Sequence, residues 1–222
     1  MHPGCHKTAL SAFDSQGNIT ESPFYCFEHC PDQNKWINSA QNYISTHDKI
    51  VGLNASGISV TDLDLSNKRF YGCNLQHCTI TNVHSTKIRA RMCMLDYCIF
   101  TDSSFLESNI QFSSFSGATL EHMLLTGSDL IHNNFNGITA YQSSFDDSDL
   151  YNSRFIKAFL INTSFKNCNL KKTFFYNSAR EGVSFKMSNT KEALIDRYKE
   201  GTMDDLDTQL EDEDILEEGD LS

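Results

Sequence analysis

Over residues 60–185 a large apolar side chain occupies nearly every fifth position. The series runs Val60, Leu65, Phe70, Leu75 and Ile80, then Leu95, Phe100, Phe105, Ile110, Phe115, Leu120, Leu125, Leu130 and Phe135. It continues with Phe145, Leu150, Phe155, Leu160, Phe165, Leu170, Phe175 and Phe185. Only Ser85, Ala90, Ala140 and Arg180 depart, so 22 of 26 positions conform in a chain that is 39% hydrophobic. Helices repeat every ~3.6 residues and strands every ~2. A fixed period of five fits neither, and it predicts a solenoid whose units bury their apolar faces against one another. The residue two before each apolar position is mostly small, as at Ser103, Ser108, Ala118, Ser128, Ser148, Ala158 and Cys168. The unit therefore reads small, polar, large apolar, polar, polar, with Ser128-Asp129-Leu130 and Cys168-Asn169-Leu170 as clear cases.

Different patterns flank this region. Residues 1–30 are broken by Pro3, Gly4, Gly17 and Pro23. Trp36, Ile37, Ala40, Tyr43 and Ile44 then recur with helical spacing behind Asp32, a capping residue type. An amphipathic helix with its linker is expected over 31–57, packed on the open end of the solenoid. After Phe185 the fivefold pattern stops. Leu194, Ile195 and Tyr198 fall on one helical face ahead of Gly201, which predicts a capping helix over 188–201. An uncovered end would expose strand edges. An acidic, disordered tail is expected over 202–222.

The units resemble pentapeptide repeats, the A(D/N)LXX family, over about residues 58–187. The resemblance implies an all-β solenoid, a right-handed quadrilateral β-helix with four pentapeptides per coil and one per side. The central and the small residues would both point inward. At the family's 20 residues per coil, the 26 units make about 6.5 coils and a rod roughly 30 Å long at ~4.8 Å per coil. Leu75, Leu95, Phe115, Phe135, Phe155 and Phe175 would then stack in one column, and Cys73 on Cys93 and Cys78 on Cys98. Ser85 and Ala90 would leave a thin patch that Val83 and Ile88 fill. Some family members resemble duplex DNA in size and charge, bind DNA gyrase or topoisomerase, and dimerise through a C-terminal element. That implies an alternative function for this chain as a DNA mimic of the quinolone-protection or inhibitor type. It also implies a homodimer through Leu194, Ile195 and Tyr198.

Charge alters this picture. The net charge is -11, but ten acidic residues and no Lys or Arg lie between Asp204 and Ser222, so the rest of the chain carries only about -1. A nearly neutral rod argues against direct nucleic-acid binding by the whole body and against mimicry of DNA along its length. Asp146, Asp147 and Asp149 make only a local acidic patch. No apolar run approaches the ~18 residues of a membrane span, and the first residues lack the pattern of a secretory signal. A cytoplasmic location with reduced thiols is the expectation.

The fivefold register assigns most Phe, Leu and repeat cysteines to the core, which leaves two candidate sites. Cys5, His6, Cys26, His29 and Cys30 bring soft ligands together before the repeat, a set suited to a structural zinc. Cys5, Cys26 and His29 lead, with His6 or Cys30 as fourth ligand. The second candidate is one lateral stripe of the rod for a protein partner: Arg69, Tyr71, Arg89, Arg91, Met92, Phe112, Ile131, His132 and Tyr151, continued by Lys171 and Lys172. His77, His84, His122 and His132 come with no joint signal of nucleophile, base and orienter, so a non-enzymatic scaffold is expected.

Overall fold

A computed structural model describes residues 5–20 and 24–195 of the 222-residue chain. Within its solenoid, each position of the five-residue unit has one conformational duty. The residue two after the central apolar one holds a left-handed backbone and turns the corner, with φ of 62° at Asn67, 59° at His77, 55° at Asn152 and 58° at Lys172. Asn, Asp and Gly tolerate that region best. Gly117 is needed for space as well: a Cβ there would sit 2.7 Å from the Tyr97 ring one coil below.

The residue before the centre is often Asp or Asn because its side chain closes the corner. Asp149 accepts the Tyr151 N–H at 2.9 Å, and Asn134 accepts that of Asn136 at 3.0 Å, as in other Asx turns. The small residue two before the centre both donates to and accepts from the coil before it. Ser148 Oγ donates to the Leu125 carbonyl at 3.0 Å and accepts the Ser128 N–H at 3.0 Å. Ser153 repeats this with Leu130 at 2.8 Å and Asn133 at 2.9 Å. Cys98 and Cys168 stand in for serine, donating to the Leu75 carbonyl at 2.9 Å and the Phe145 carbonyl at 3.1 Å. Such polar groups are tolerated in the core because they are paired.

Strands of three residues pair in parallel with the strand 20 residues away, as in Arg69↔Arg89 and Thr119↔Thr139. Four sides result, making about seven coils in all. The first is centred on Ile50, Phe70, Ala90 and Ile110, through strands Lys49–Val51, Arg69–Tyr71, Arg89–Arg91 and Asn109–Gln111. The third side forms a seven-stranded sheet from Ser59–Thr61 to Ala179–Glu181. The second and fourth are held largely by isolated bridges such as Asn74↔Met94 and Leu124↔Ser144.

Inside, two phenylalanine columns stack at the coil spacing. Phe115, Phe135, Phe155 and Phe175 lie 4.8–4.9 Å apart between neighbours, and Phe145 sits 4.8 Å from Phe165. The columns meet edge to face, for example Phe145 on Phe155 at 5.5 Å and 87°, a favourable geometry for aromatic pairs. Where the centre is small, its inward neighbour is large: Val83 with Ser85, Ile88 with Ala90 and Ile138 with Ala140 are all buried. The exchange is incomplete around Ala90, where a cavity of about 50 Å³ is lined by residues including Phe70, Ile88, Cys93 and Phe105.

The first coil begins at Lys49 rather than near residue 58, because Lys49–Val51 pairs with Arg69–Tyr71. The same exchange of sizes hid it: large Leu53 accompanies small Ala55, and both are buried. Helix α1 spans Gln33–Thr46, with Asp32 accepting the Lys35 N–H at 2.9 Å. It buries Trp36, Ala40, Tyr43 and Ile44, which join the core of the first coils in one cluster. Lys68 donates to the Ser45 and His47 carbonyls at 2.8 and 3.1 Å, satisfying acceptors at the helix C-terminus.

At the other end, residues 188–195 do not start the predicted helix. Asn189 pairs with Asn169, Leu194 pairs with Phe174, and Asn189 accepts the Lys191 N–H. The repeat therefore continues, because the Asx turn and ladder bonds available at Asn189 outweigh a short helical pattern. The remainder of that helix, 196–201, and the acidic tail, 202–222, lie outside the described residues. Among the described residues no helix is long and apolar enough to cross a membrane.

Candidate functional site

Outward positions on one side of a β-helix form ladders, so residues 20 apart in sequence become neighbours at ~4.8 Å. On the first side this register aligns Lys49, Arg69 and Arg89 in one ladder and Val51, Tyr71 and Arg91 in the next. All three residues of the first ladder are exposed, as is Arg91. Among the described residues none of the four cations has a carboxylate partner, whereas Lys68, Lys87, Lys171 and Lys172 each do. Lys49 instead lies over the Tyr71 ring at 5.6 Å. Like charges placed directly opposite across paired strands destabilise the pair. This ladder therefore carries a cost that the fold does not require.

The adjoining corner adds apolar surface. Met92 is 66% exposed and Phe112 54%, and Phe112 stacks on His132 at 4.9 Å. His132 meets Tyr151 edge-on at 5.7 Å, and Lys172 lies over Tyr151 at 5.7 Å. The stripe read from the sequence is thus contiguous: Arg69, Tyr71, Arg89, Arg91, Ile131 and Tyr151 lie on the first side, and Met92, Phe112 and His132 lie on its corner. The reading missed Lys49 and Val51, whose signal was the apolar Ile50 between two outward residues ahead of the assumed start. Further along, Asp129 accepts from Asn109 and Asp149 from Asn169, so the side passes from free cations to hydrogen-bonded carboxylates.

The N-terminal cluster is assembled by two short segments that meet. Cys26 precedes a turn of 3-10 helix, Phe27–His29, which swings His29 back so that Nδ1 lies 3.1 Å from Cys26 Sγ. Cys5 Sγ lies 3.4 Å from Cys26 Sγ. Lys7 and Glu28 form an ion pair between the same two segments, and the Leu10 N–H donates to the Tyr25 carbonyl at 2.9 Å. Of the five residues named from sequence, Cys5, Cys26 and His29 come together. His6 is exposed and Cys30 is packed in the core cluster, so both stand outside the group.

The remaining cysteines are structural. Burial pushes the Cys168 thiol up to about 12. Cys93 and Cys98 are raised as well, each first by the stacked thiol of Cys73 or Cys78 and then by burial.

The Pentapeptide repeats family matches residues 143–178 in eight copies. No curated protein matches the sequence. Among solved structures, full-length QnrB1, a plasmid-mediated fluoroquinolone resistance protein, is 16% identical, with 75% of this chain and 96% of that one covered and a TM-score of 0.36. HetL, a pentapeptide repeat protein involved in heterocyst differentiation regulation from the cyanobacterium Nostoc, is 16% identical over 67% of this chain and 87% of its own, with a TM-score of 0.32. Rfr23 from the cyanobacterium Cyanothece is 13% identical over 72% and 99%, with a TM-score of 0.30. Residues 143–178 thus match the family's repeat, and the same fivefold register and coils of 20 residues run through the described solenoid from Lys49 to Leu194.

Proposed function

We propose that the protein is a non-enzymatic scaffold that binds an acidic surface of another protein through the first side of its β-helix. The observation that carries this reading is the ladder of Lys49, Arg69 and Arg89, with Arg91 beside it, exposed and without carboxylate partners among the described residues. A stiff rod presents such groups preorganised, so little ordering entropy opposes binding. The neighbouring Met92 and Phe112 supply the apolar contact that a protein partner would cover. A nucleic acid would call for a longer run of cations than four.

Arg69→Glu tests this reading. It sets a carboxylate between Lys49 and Arg89, so the ladder becomes a chain of opposite charges. Thermal stability should hold or rise slightly, while capture of the partner from the native host falls by tenfold or more, about 1.4 kcal/mol. Unchanged capture, or a loss of stability that accounts for the loss of capture, contradicts it. The alternative, a DNA-mimic binder of gyrase or topoisomerase, needs acidic character where these cations stand. A supercoiling assay with gyrase separates the two, since mimicry requires an effect at low salt. A homodimer contact at Leu194 and Ile195 is a separate proposal, read out by the mass of the protein in solution.

A further inference from the structure

We propose that the occupant of the first side is an acidic α-helix lying along the axis of the rod, with carboxylates at positions i, i+3 and i+7 set against Lys49, Arg69 and Arg89; the proposal rests on the reading of that side as an acid-binding face. The three cations stand in register on paired strands, so they rise by ~4.8 Å per coil and span about 9.6 Å. Side chains at i, i+3 and i+7 of a helix share one face. At ~1.5 Å per residue they stand at about 0, 4.5 and 10.5 Å, within about an ångström of each cation in turn. An extended strand laid the same way repeats its carboxylates on one face only every ~6.8 Å, so its third would overshoot Arg89 by about 4 Å.

The surface beside the ladder has room for a helix. The next ladder begins with the exposed Val51 and the Tyr71 ring and ends with the exposed Arg91. Past it, the corner carries only Gly52 and Gly72 in the first two coils, where a Cβ would meet nothing within 4 Å. In the following two coils the same corner carries Met92 and Phe112, both exposed. The result is a low shelf that ends at an apolar step. A helix of ~10–12 Å diameter resting there meets the cations along one edge and Val51 and Tyr71 along the other. An apolar residue at i+4 lies one stripe round from the carboxylates and faces this second edge.

Each partner relieves the other. Like charges opposite one another on paired strands repel, and carboxylates at i+3 and i+7, one turn apart, weaken an isolated helix. Contact turns both penalties into charge-assisted hydrogen bonds. The rod holds its cations at fixed spacing, so fewer groups are ordered on binding.

The test titrates the full chain into two fluorescently labelled alanine-based peptides, matched in length, charge and helix content, and follows anisotropy. One carries Glu at i, i+3 and i+7 with Leu at i+4. The other permutes the same residues so that Glu falls at i, i+2 and i+5, which spreads the charges around the helix. The first should bind more tightly by about fivefold or more, and Arg69→Glu should abolish that preference while the circular dichroism of the rod is unchanged. Equal affinity for both peptides, lost together in Arg69→Glu, overturns the helical match and leaves the acid-binding face standing. Binding of neither peptide overturns the proposal, whether the face is inert or the chain's own acidic residues 204–220 hold it. Binding untouched by Arg69→Glu puts the acidic ligand elsewhere and overturns the acid-binding reading with it.

Discussion

His122 shows how a single corner residue is shaped by the coils above and below. Its Nδ1 lies 2.8 Å from Asp102 Oδ1 and its Nε2 lies 3.0 Å from Gln142 Oε1. The hydrogen bond to Asp102 holds the imidazole above its ordinary pKa, with Gln142 adding to it against the opposing effect of desolvation. A raised folded pKa means that this contribution to stability is full below the unfolded value near ~6.5. It is lost as pH rises through the folded one. An NMR titration should place the His122 midpoint above ~6.5 and bring it down in Asp102→Asn; an unshifted wild-type midpoint would contradict the bond. The sequence showed His122 but not this role, because a partner 20 residues away is visible only once the coil length is known. The central apolar residues were legible at this scale because each repeats at a fixed distance. Ser85 and Ala90 were legible together with Val83 and Ile88, which supply the volume they lack, whereas Ala140 was legible only as an exception, its volume coming from Ile138.

At the scale of the element, register was the legible quantity and boundaries were not. The helix Gln33–Thr46 stood out through its 3.6-residue pattern. The first coil did not, because Leu53 and Ala55 invert the usual order of sizes while filling the same space. The last described coil was misread because Leu194 and Ile195 satisfy a helical pattern while Ile195 also falls on the fivefold position. Long-range pairing to Phe174 decided between them, and such pairing leaves no local trace. The cavity beside Ala90 is where exchange of sizes falls short. Ala90→Val, on the strand Arg89–Arg91, adds a branched side chain suited to a strand and directed at that space. It should stabilise the fold by about 1 kcal/mol and raise the thermal midpoint by roughly 2–4 °C. A lower midpoint would show that the neighbours already fill the site and that the added methyls overpack it.

The whole molecule separates its charge along the chain. The acidity gathers after residue 203, and the solenoid carries a short cationic ladder at its N-terminal end and carboxylates bound by amides further on. The stripe was legible in the sequence because residues 20 apart share a side once the repeat is recognised. That Lys49, Arg69, Arg89 and Arg91 lack a carboxylate partner among the described residues was not legible, since an ion pair depends on the reach of side chains between coils. The Cys/His group was half legible: Cys5, Cys26 and His29 led in the sequence, whereas the separation of His6 and Cys30 from them shows only in the fold. The central claim is that the first side is the binding face, and site-specific photo-crosslinking tests it most directly. A photo-reactive residue replaces Arg91 on the first side or Thr139 on the third, both outward-facing, and the protein is irradiated in its native host. Crosslinking to one protein from position 91, diminished by added salt and absent from position 139, is the predicted result. Equal crosslinking from both positions, or from position 139 alone, would contradict the account.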